Sequence, residues 1–311
     1  ARAAFIMDKI MHQIGLHGRS FIPLIMGFGC NVPAIMSTRT IENPQNRLLT
    51  ILINPFMSCS ARLPVYVLII SAFFPDHPGT VLFSIYMIGI VMAAFVAIIF
   101  KKTFFKSKEV PFVMELPPYR IPTLRNTTRH MWFKGSQYLK KMGGVILVAS
   151  VIIWALGYYP QDIEYSTDYD QKIANVIKEN PEAEKKVQLI LSEKKSEKQE
   201  KSYIGRIGKF VEPVMRPLGF DWKMSVSILS GVPGKEIVVS TMGVLYQADN
   251  TGTEIPENLV HRLQNETDEN GEKAFTPLVA YAFLLFILLY FPCIASIVAI
   301  SKEAGHWKWA V

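Results

Sequence analysis

Three stretches of this chain carry no charge over the length of a membrane. They are residues 80–100, 142–159 and 276–301, of 21, 18 and 26 positions. At ~1.5 Å of rise per residue, about 20 apolar residues in a helix match the ~30 Å hydrocarbon core of a bilayer. A hydrophobic content of 50% is ordinary for a soluble domain. Its concentration in three uncharged runs is not, and it predicts a membrane protein.

The charged residues divide by segment. Residues 101–141 hold ten Lys/Arg against Glu109 and Glu115, an excess that keeps a loop on the cytoplasmic side. Residues 160–205 hold ten acids and eight lysines and are expected on the opposite side. The net charge of +7 is therefore read as topology. Nothing interleaves basic and aromatic residues as a nucleic-acid groove does, so no nucleic-acid partner is expected. The partner this composition implies is the lipid bilayer.

The organisation expected is a first transmembrane half over 1–100 and a basic cytoplasmic loop with an interfacial helix over 101–141. A membrane helix follows at 142–159, then a hydrophilic periplasmic excursion at 160–205. A second transmembrane half occupies 206–311. The chain begins without Met at "ARAAFIMD" and ends on "GHWKWAV", which reads as a piece cut at both ends. The fold class is all-α, a polytopic transmembrane helical bundle.

Several apolar segments are interrupted. Pro23, Gly27, Gly29 and Pro33 cut residues 21–36, and Asn54-Pro55 cuts residues 49–73. Pro213, Pro217, Gly231, Pro233 and Gly234 cut residues 207–246. A weak internal repeat relates them. "CNVPAIMSTRTI" (30–41) resembles "SGVPGKEIVVST" (230–241), and "ILINPFMSC" (51–59) resembles "FILLYFPC" (286–293). Each half thus has a broken Val-Pro segment, then an apolar run into Pro and Cys, which makes two interrupted-helix pseudo-repeats. An unpaired backbone group costs several kcal/mol in hydrocarbon, so irregular backbone at that depth is confined to cavities and protein interiors. Paired interruptions in two halves mark the solute site of many transporters.

The cysteines sit at those interruptions. The chain has three, Cys30, Cys59 and Cys293, with no CxxC pair. A cysteine in an apolar stretch is by default a small inert hydrophobe. Three of three at breaks, beside Met57, Met26 and Met36, favour a soft metal ion, because thiol and thioether prefer Cu(I), Zn and Fe to Mg and Ca. Candidate metal or pore residues are Cys30, Cys59, Cys293, Asn31, Asn54, Met57, Ser230 and Glu236. Freed carbonyls at Asn54-Pro55 are expected to face the path. Glu236 has Lys235 and Arg39 as candidate ion partners. "GVPGKE" fails as a phosphate loop, since Glu236 stands where Walker A needs a hydroxyl. No Ser/His/Asp set, HExxH or paired-carboxylate motif is present, so no enzyme active site is expected.

The blocks "SFIPLIMGFGCNVPAIMSTRTIENPQNRLLTILINPFMSCSARLPVY", "SYIGRIGKFVEPVMRPLGFDWK" and "KEIVVSTMGVLYQ" closely resemble the membrane domain of the FeoB family of ferrous iron transport proteins. The resemblance runs through the chain except for 160–200 and 247–273. It implies Fe²⁺ as the transported ion, uptake across the bacterial cytoplasmic (inner) membrane, and two Gate-type halves. It also implies an upstream G domain that binds GTP and Mg²⁺, with a small FeoA-type protein and a homo-oligomer as candidate partners. No cofactor is expected in this chain, which has no Walker A sequence. Family pore cysteines map onto Cys30, Cys59 and Cys293. Pro233-Gly234 before Lys235-Glu236 departs from many relatives. Gate-type architecture is shared with nucleoside carriers, so a permease for an organic solute such as a nucleoside is the alternative. Thiols and thioethers at the breaks argue against it.

Overall fold

The structure is a computed structural model. It describes residues 2–104, 123–161, 166–169, 171–173, 200–246, 259–260, 263–264, 275–290 and 292–309, with residues 187, 190, 191, 194, 197 and 198. The core of the basic loop and most of the acidic loop 247–273 lie outside the described residues.

Among the described residues every regular element is helical. The longer helices are α1 (Arg2–Ile14), α2 (Phe21–Gly29), α3 (Asn31–Ser37), α4 (Pro44–Ile53), α5 (Leu63–Phe73), α6 (Pro78–Thr103) and α7 (Leu124–Tyr158). After them come α8 (Tyr203–Met215), α9 (Trp222–Ser230), α10 (Ile237–Leu245), α11 (Pro277–Leu289) and α12 (Ile294–Ala304). Among the described residues, three stretches are long and apolar enough to cross a membrane: Pro44–Phe73, Pro78–Thr103 and Pro277–Ala304. The chain is an all-α, multi-pass membrane protein.

Proline starts helices here more often than it breaks them. Pro23, Pro33, Pro44, Pro64, Pro78 and Pro277 all lie in the first turn of α2, α3, α4, α5, α6 and α11, where the missing N–H has no intrahelical partner to lose. Asn43 caps α4, its Oδ1 accepting from the amides of Gln45 at 2.9 Å and Asn46 at 3.4 Å. The sequence-based expectation that Pro23 cuts the 21–36 stretch is therefore corrected: α2 runs through Pro23 and Gly27, and the break is at Cys30. Pro213 likewise lies inside α8, which ends later, before Gly219 at φ +79°.

The two pseudo-repeats take the same form. α2 and α3 are separated at Cys30, and α9 and α10 by turns over 231–236. α4 and α5 are separated over 54–62; α11 ends at Leu289 and α12 begins at Ile294. The uncharged run 142–159 is continuous with the basic residues before it in the single 35-residue helix α7. No proline interrupts that helix, and exposed Leu147, Val148, Val151 and Ile152 give its second half an apolar surface.

The chain divides into two compact units. The first comprises residues 1–62, 83–148 and 288–311; the second comprises 63–82 and 149–287. In the first, Met11, Leu16, Leu24, Leu49, Ile53, Met57, Ala93 and Ala97 form one core cluster. α6 buries Ile85, Gly89, Ala93 and Ala97, every fourth residue, and exposes Phe83, Val91 and Phe95. Small residues on the packed face let helix backbones approach where hydrocarbon supplies no hydrophobic drive between helices. A second cluster joins Val32, Ile35 and Ile51 to Ala295, Ala299 and Ile300.

In the second unit Phe220, Phe275 and Phe283 interlock edge to face, at 5.6 Å and 6.4 Å between ring centroids. Asp221 caps α9 through the Met224 amide at 2.7 Å. In the hydrophilic segment Glu197, 8% exposed, accepts from the Ser166 amide at 2.8 Å, the Ser166 hydroxyl, the Tyr169 hydroxyl at 2.7 Å and Lys201 Nζ at 2.8 Å. Burial disfavours its charge, but these donors outweigh it and hold the carboxyl at about 2.

Two predictions follow from these contacts. A Cβ at Gly89 would lie 2.9 Å from the Phe56 carbonyl oxygen, whereas one at Gly79 meets nothing within 4 Å. Gly89→Ala is expected to destabilise the detergent-purified protein by ~1–3 kcal/mol in thermal unfolding, and Gly79→Ala to leave the midpoint unmoved. The Glu197 carboxyl has a folded value below its ordinary 4.5. Its contribution to order is therefore complete above pH 4.5 and lost as pH falls toward about 2. Amide-exchange protection at Ser166 should fall over that window, and Glu197→Gln should abolish the pH dependence.

Candidate functional site

The break in the Pro44–Phe73 stretch is built from short turns. Asn54–Phe56 and Ser60–Arg62 are single 3₁₀ turns, and Met57–Cys59 between them is irregular. The backbone groups released there find specific partners. The Met57 amide donates to Asn54 O at 3.0 Å and the Arg62 amide to Cys59 O at 3.1 Å. The Arg62 guanidinium donates to Pro55 O at 3.4 Å and Met57 O at 3.3 Å. Phe56 O abuts Gly89 of α6. Of the carbonyls expected to be freed at Asn54-Pro55, that of Asn54 accepts from the Met57 amide and that of Pro55 from Arg62.

The unpartnered buried side-chain atoms of the described residues are the Nε atoms of Arg47 and Arg62 and carboxamide atoms of two asparagines. Asn54 is fully buried and neither Oδ1 nor Nδ2 has a hydrogen-bond partner. Asn31, 4% exposed, has an unpartnered Oδ1. A buried polar atom left unpaired costs ~1–3 kcal/mol, so two in neighbouring elements are the electrostatic signature of this unit. Gly27 makes the approach of α2 to Asn54 possible: a Cβ there would lie 2.5 Å from Asn54 Oδ1 and 3.1 Å from Met57 Cβ.

The thiols lie at the ends of the same elements. Cys30 has extended backbone between α2 and α3, at φ −152°. Cys59 precedes the Ser60 turn, whose hydroxyl donates to Gly29 O at 2.8 Å. Cys293 is the N-cap residue of α12, with its Sγ 3.3 Å from Ser296 Oγ. All three are free thiols; Cys30 is exposed, and Cys59 and Cys293 are partly so. Met57 is 5% exposed and packs with Leu24 and Ile53. Among the described residues no group of three or more His, Cys, Asp or Glu is placed to hold a metal ion.

Glu303 braces these elements. Only 5% of its side chain is exposed, and it receives Arg39 through two hydrogen bonds, one of them from Nε at 2.8 Å, and Arg47 Nη2 at 2.8 Å. It thus ties the end of α3 and the start of α4 to the end of α12, a bidentate charged arrangement. Arg39, expected as a partner for Glu236, belongs to Glu303. Glu236 is exposed, whereas Lys235 beside it is buried. In the second unit, Ser230 is buried and its hydroxyl donates to Ser227 O at 2.7 Å. It lines a cavity of about 280 Å³ with Trp154, Tyr158, Ile204 and Thr241.

Reasoning from residue patterns missed Arg62, Glu303 and Gly27. For Arg62 a signal existed, since it is the lone charge in residues 49–73.

Comparison with known proteins agrees with this architecture. A model described as a nucleoside-recognition (Gate) domain matches residues 1–73 and 139–307, and one for the C terminus of ferrous iron transport protein B matches 82–134. The chain belongs to the FeoB family. It is 57% identical over 317 residues to a Porphyromonas gingivalis protein named as a fusion of Fe(2+) transport protein A and Fe(2+) transporter FeoB. It is 41% identical over 312 residues to the Fe(2+) transporter FeoB of Campylobacter jejuni, and 40% identical over 320 residues to that of Helicobacter pylori. These alignments cover 99–100% of this chain but 37%, 46% and 48% of the relatives, so the FeoB chains are about twice as long or longer. No solved structure matches the chain significantly.

The approach at Gly27 sets a prediction for the site. Gly27→Ala is expected to displace Asn54 and Met57, changing the rate at which Cys59 reacts with a membrane-permeant maleimide several-fold. Gly29→Ala, where a Cβ meets nothing within 4 Å, should leave that rate as in the wild type.

Proposed function

We propose that this chain is the membrane permease part of a ferrous-iron uptake system of the bacterial cytoplasmic membrane. The observation that carries the reading is the position of the thiols: Cys30, Cys59 and Cys293 each stand at a helix interruption of the first unit. Soft sulfur favours Fe²⁺ over the more abundant Mg²⁺ and Ca²⁺. Asn31 and Asn54 add carboxamide oxygens, and Met57 a thioether. A partial, mixed set suits transport, since an ion must bind well enough to enter and weakly enough to leave. A complete set of four thiolates would retain the metal. Ser230 and Glu236 are the candidate oxygen ligands of the break between α9 and α10.

Coupling to GTP hydrolysis is assigned to an upstream G domain holding Mg²⁺, in keeping with the greater length of the FeoB relatives. A FeoA-type protein is the proposed soluble partner, supported by the Porphyromonas relative named as a fusion of the two. The organic-solute reading is not favoured, because the relatives are named as Fe(2+) transporters.

Anaerobic Fe²⁺ influx into vesicles holding the full-length protein tests the reading. Cys59→Ser is expected to lower influx at least ~10-fold at equal expression, and Zn²⁺ to compete better than Mg²⁺. Undiminished influx in Cys59→Ser would return the thiols to a packing role and move the path to Asn54 and its neighbours.

A further inference from the structure

Arg62 is the least expected residue of the first unit. It is 1% exposed and is the lone charge of residues 49–73, within a stretch long and apolar enough to cross a membrane. Its guanidinium donates only to the carbonyls of Pro55 and Met57, its Nε has no partner, and no carboxylate pairs with it among the described residues. Glu303, by contrast, holds two arginines. Arginine does not lose its proton in proteins, and a buried charge without a counter-ion carries a desolvation cost of several kcal/mol. An ionisable group inside a membrane protein marks function more often than packing.

Capping the break does not require the charge, because a neutral donor such as a glutamine carboxamide can also serve carbonyl oxygens. The charge lies in the same break as Cys59: the Arg62 amide donates to the Cys59 carbonyl at 3.1 Å, and the guanidinium reaches the carbonyls of Pro55 and Met57.

We propose that Arg62 is a positioning and charge-setting residue of the ion path. Its guanidinium holds the Asn54–Arg62 break in shape, and its fixed positive charge weakens retention of a divalent cation at Cys59 so that the ion moves on. The proposal rests on the permease reading and deepens it. Without this charge, thiol and carboxamide ligands in a low-dielectric interior would hold a soft cation too long.

The test is Co²⁺ binding to the purified full-length protein in lipid nanodiscs, without oxygen and with excess Mg²⁺ to occupy hard-ligand sites. Calorimetry gives the affinity, and the near-ultraviolet sulfur-to-cobalt band reports thiol ligation. Arg62→Gln keeps donors for the carbonyls and removes the charge. It is expected to bind Co²⁺ roughly 10-fold tighter or more, from Coulomb repulsion at an effective dielectric near 20. Arg62→Lys is expected to restore wild-type affinity. A purely structural role would weaken binding in both variants, so tightening in one alone is diagnostic.

Unchanged or weaker binding by Arg62→Gln, or the same shift in Arg62→Lys, overturns the proposal. Should Arg62→Gln not fold, Arg62→His at pH 8, neutral by the ordinary value near 6.5, carries the same expectation. If neither neutral variant folds, the guanidinium is a structural cap and the proposal falls. Tightening without a sulfur band would uphold Arg62 and reject the thiols as ligands. A sulfur band with unmoved affinity would do the reverse, and no Co²⁺ binding by the wild type would reject both.

Discussion

A backbone amide or carbonyl inside hydrocarbon must have a partner, and the architecture of this chain depends on that requirement. A continuous helix meets it automatically. A helix that stops inside the membrane must be supplied with donors and acceptors by other parts of the protein. The interruption at Asn54–Arg62 shows the supply in detail. Two 3₁₀ turns close locally, Arg62 takes two carbonyls, and Ser60 takes the last carbonyl of α2. The Asn54 carboxamide is left over, fully buried. Spare polarity next to sulfur is what a desolvated cation can use.

Such a break needs rigid neighbours, because half-helices have few internal bonds to orient them. Close approach provides one constraint: Gly27 and Gly89 remove the side chains that would keep α2 and α6 off the break. The Glu303 cluster provides the other, fastening the ends of α3, α4 and α12 with charged hydrogen bonds. The helices that carry Cys30 and Cys293 also share an apolar cluster of Val32, Ile35, Ala295 and Ala299. Position is therefore set by packing and ion pairing at a distance from the thiols. The thiols themselves are left partly or fully accessible and free of disulfides.

Arg62 and Glu303 illustrate two treatments of charge in one unit. Glu303 is paired twice, so its burial is compensated and its effect is structural. Among the described residues the Arg62 side chain is met only by carbonyl dipoles. On the proposed path a cation must be desolvated and then released, and a nearby fixed charge of the same sign favours the second step at some expense to the first.

The sequence by itself determined the fold class, because uncharged runs of membrane length admit little but helices. It also located the interruptions to within a few residues, since Pro, Gly and Asn act on their own backbone. It placed the proline effect one step wrong at Pro23 and Pro213, because proline in a first turn is harmless and a helix can absorb one inside. Only the tertiary structure decided which freed groups are satisfied and which are spare. The Arg62 bonds to Pro55 and Met57, the orphaned Asn54 amide and the pairing of Arg39 with Glu303, 264 positions along the chain, follow from distances between segments. Those distances come from helix packing, which residue periodicity constrains only by face and never by partner.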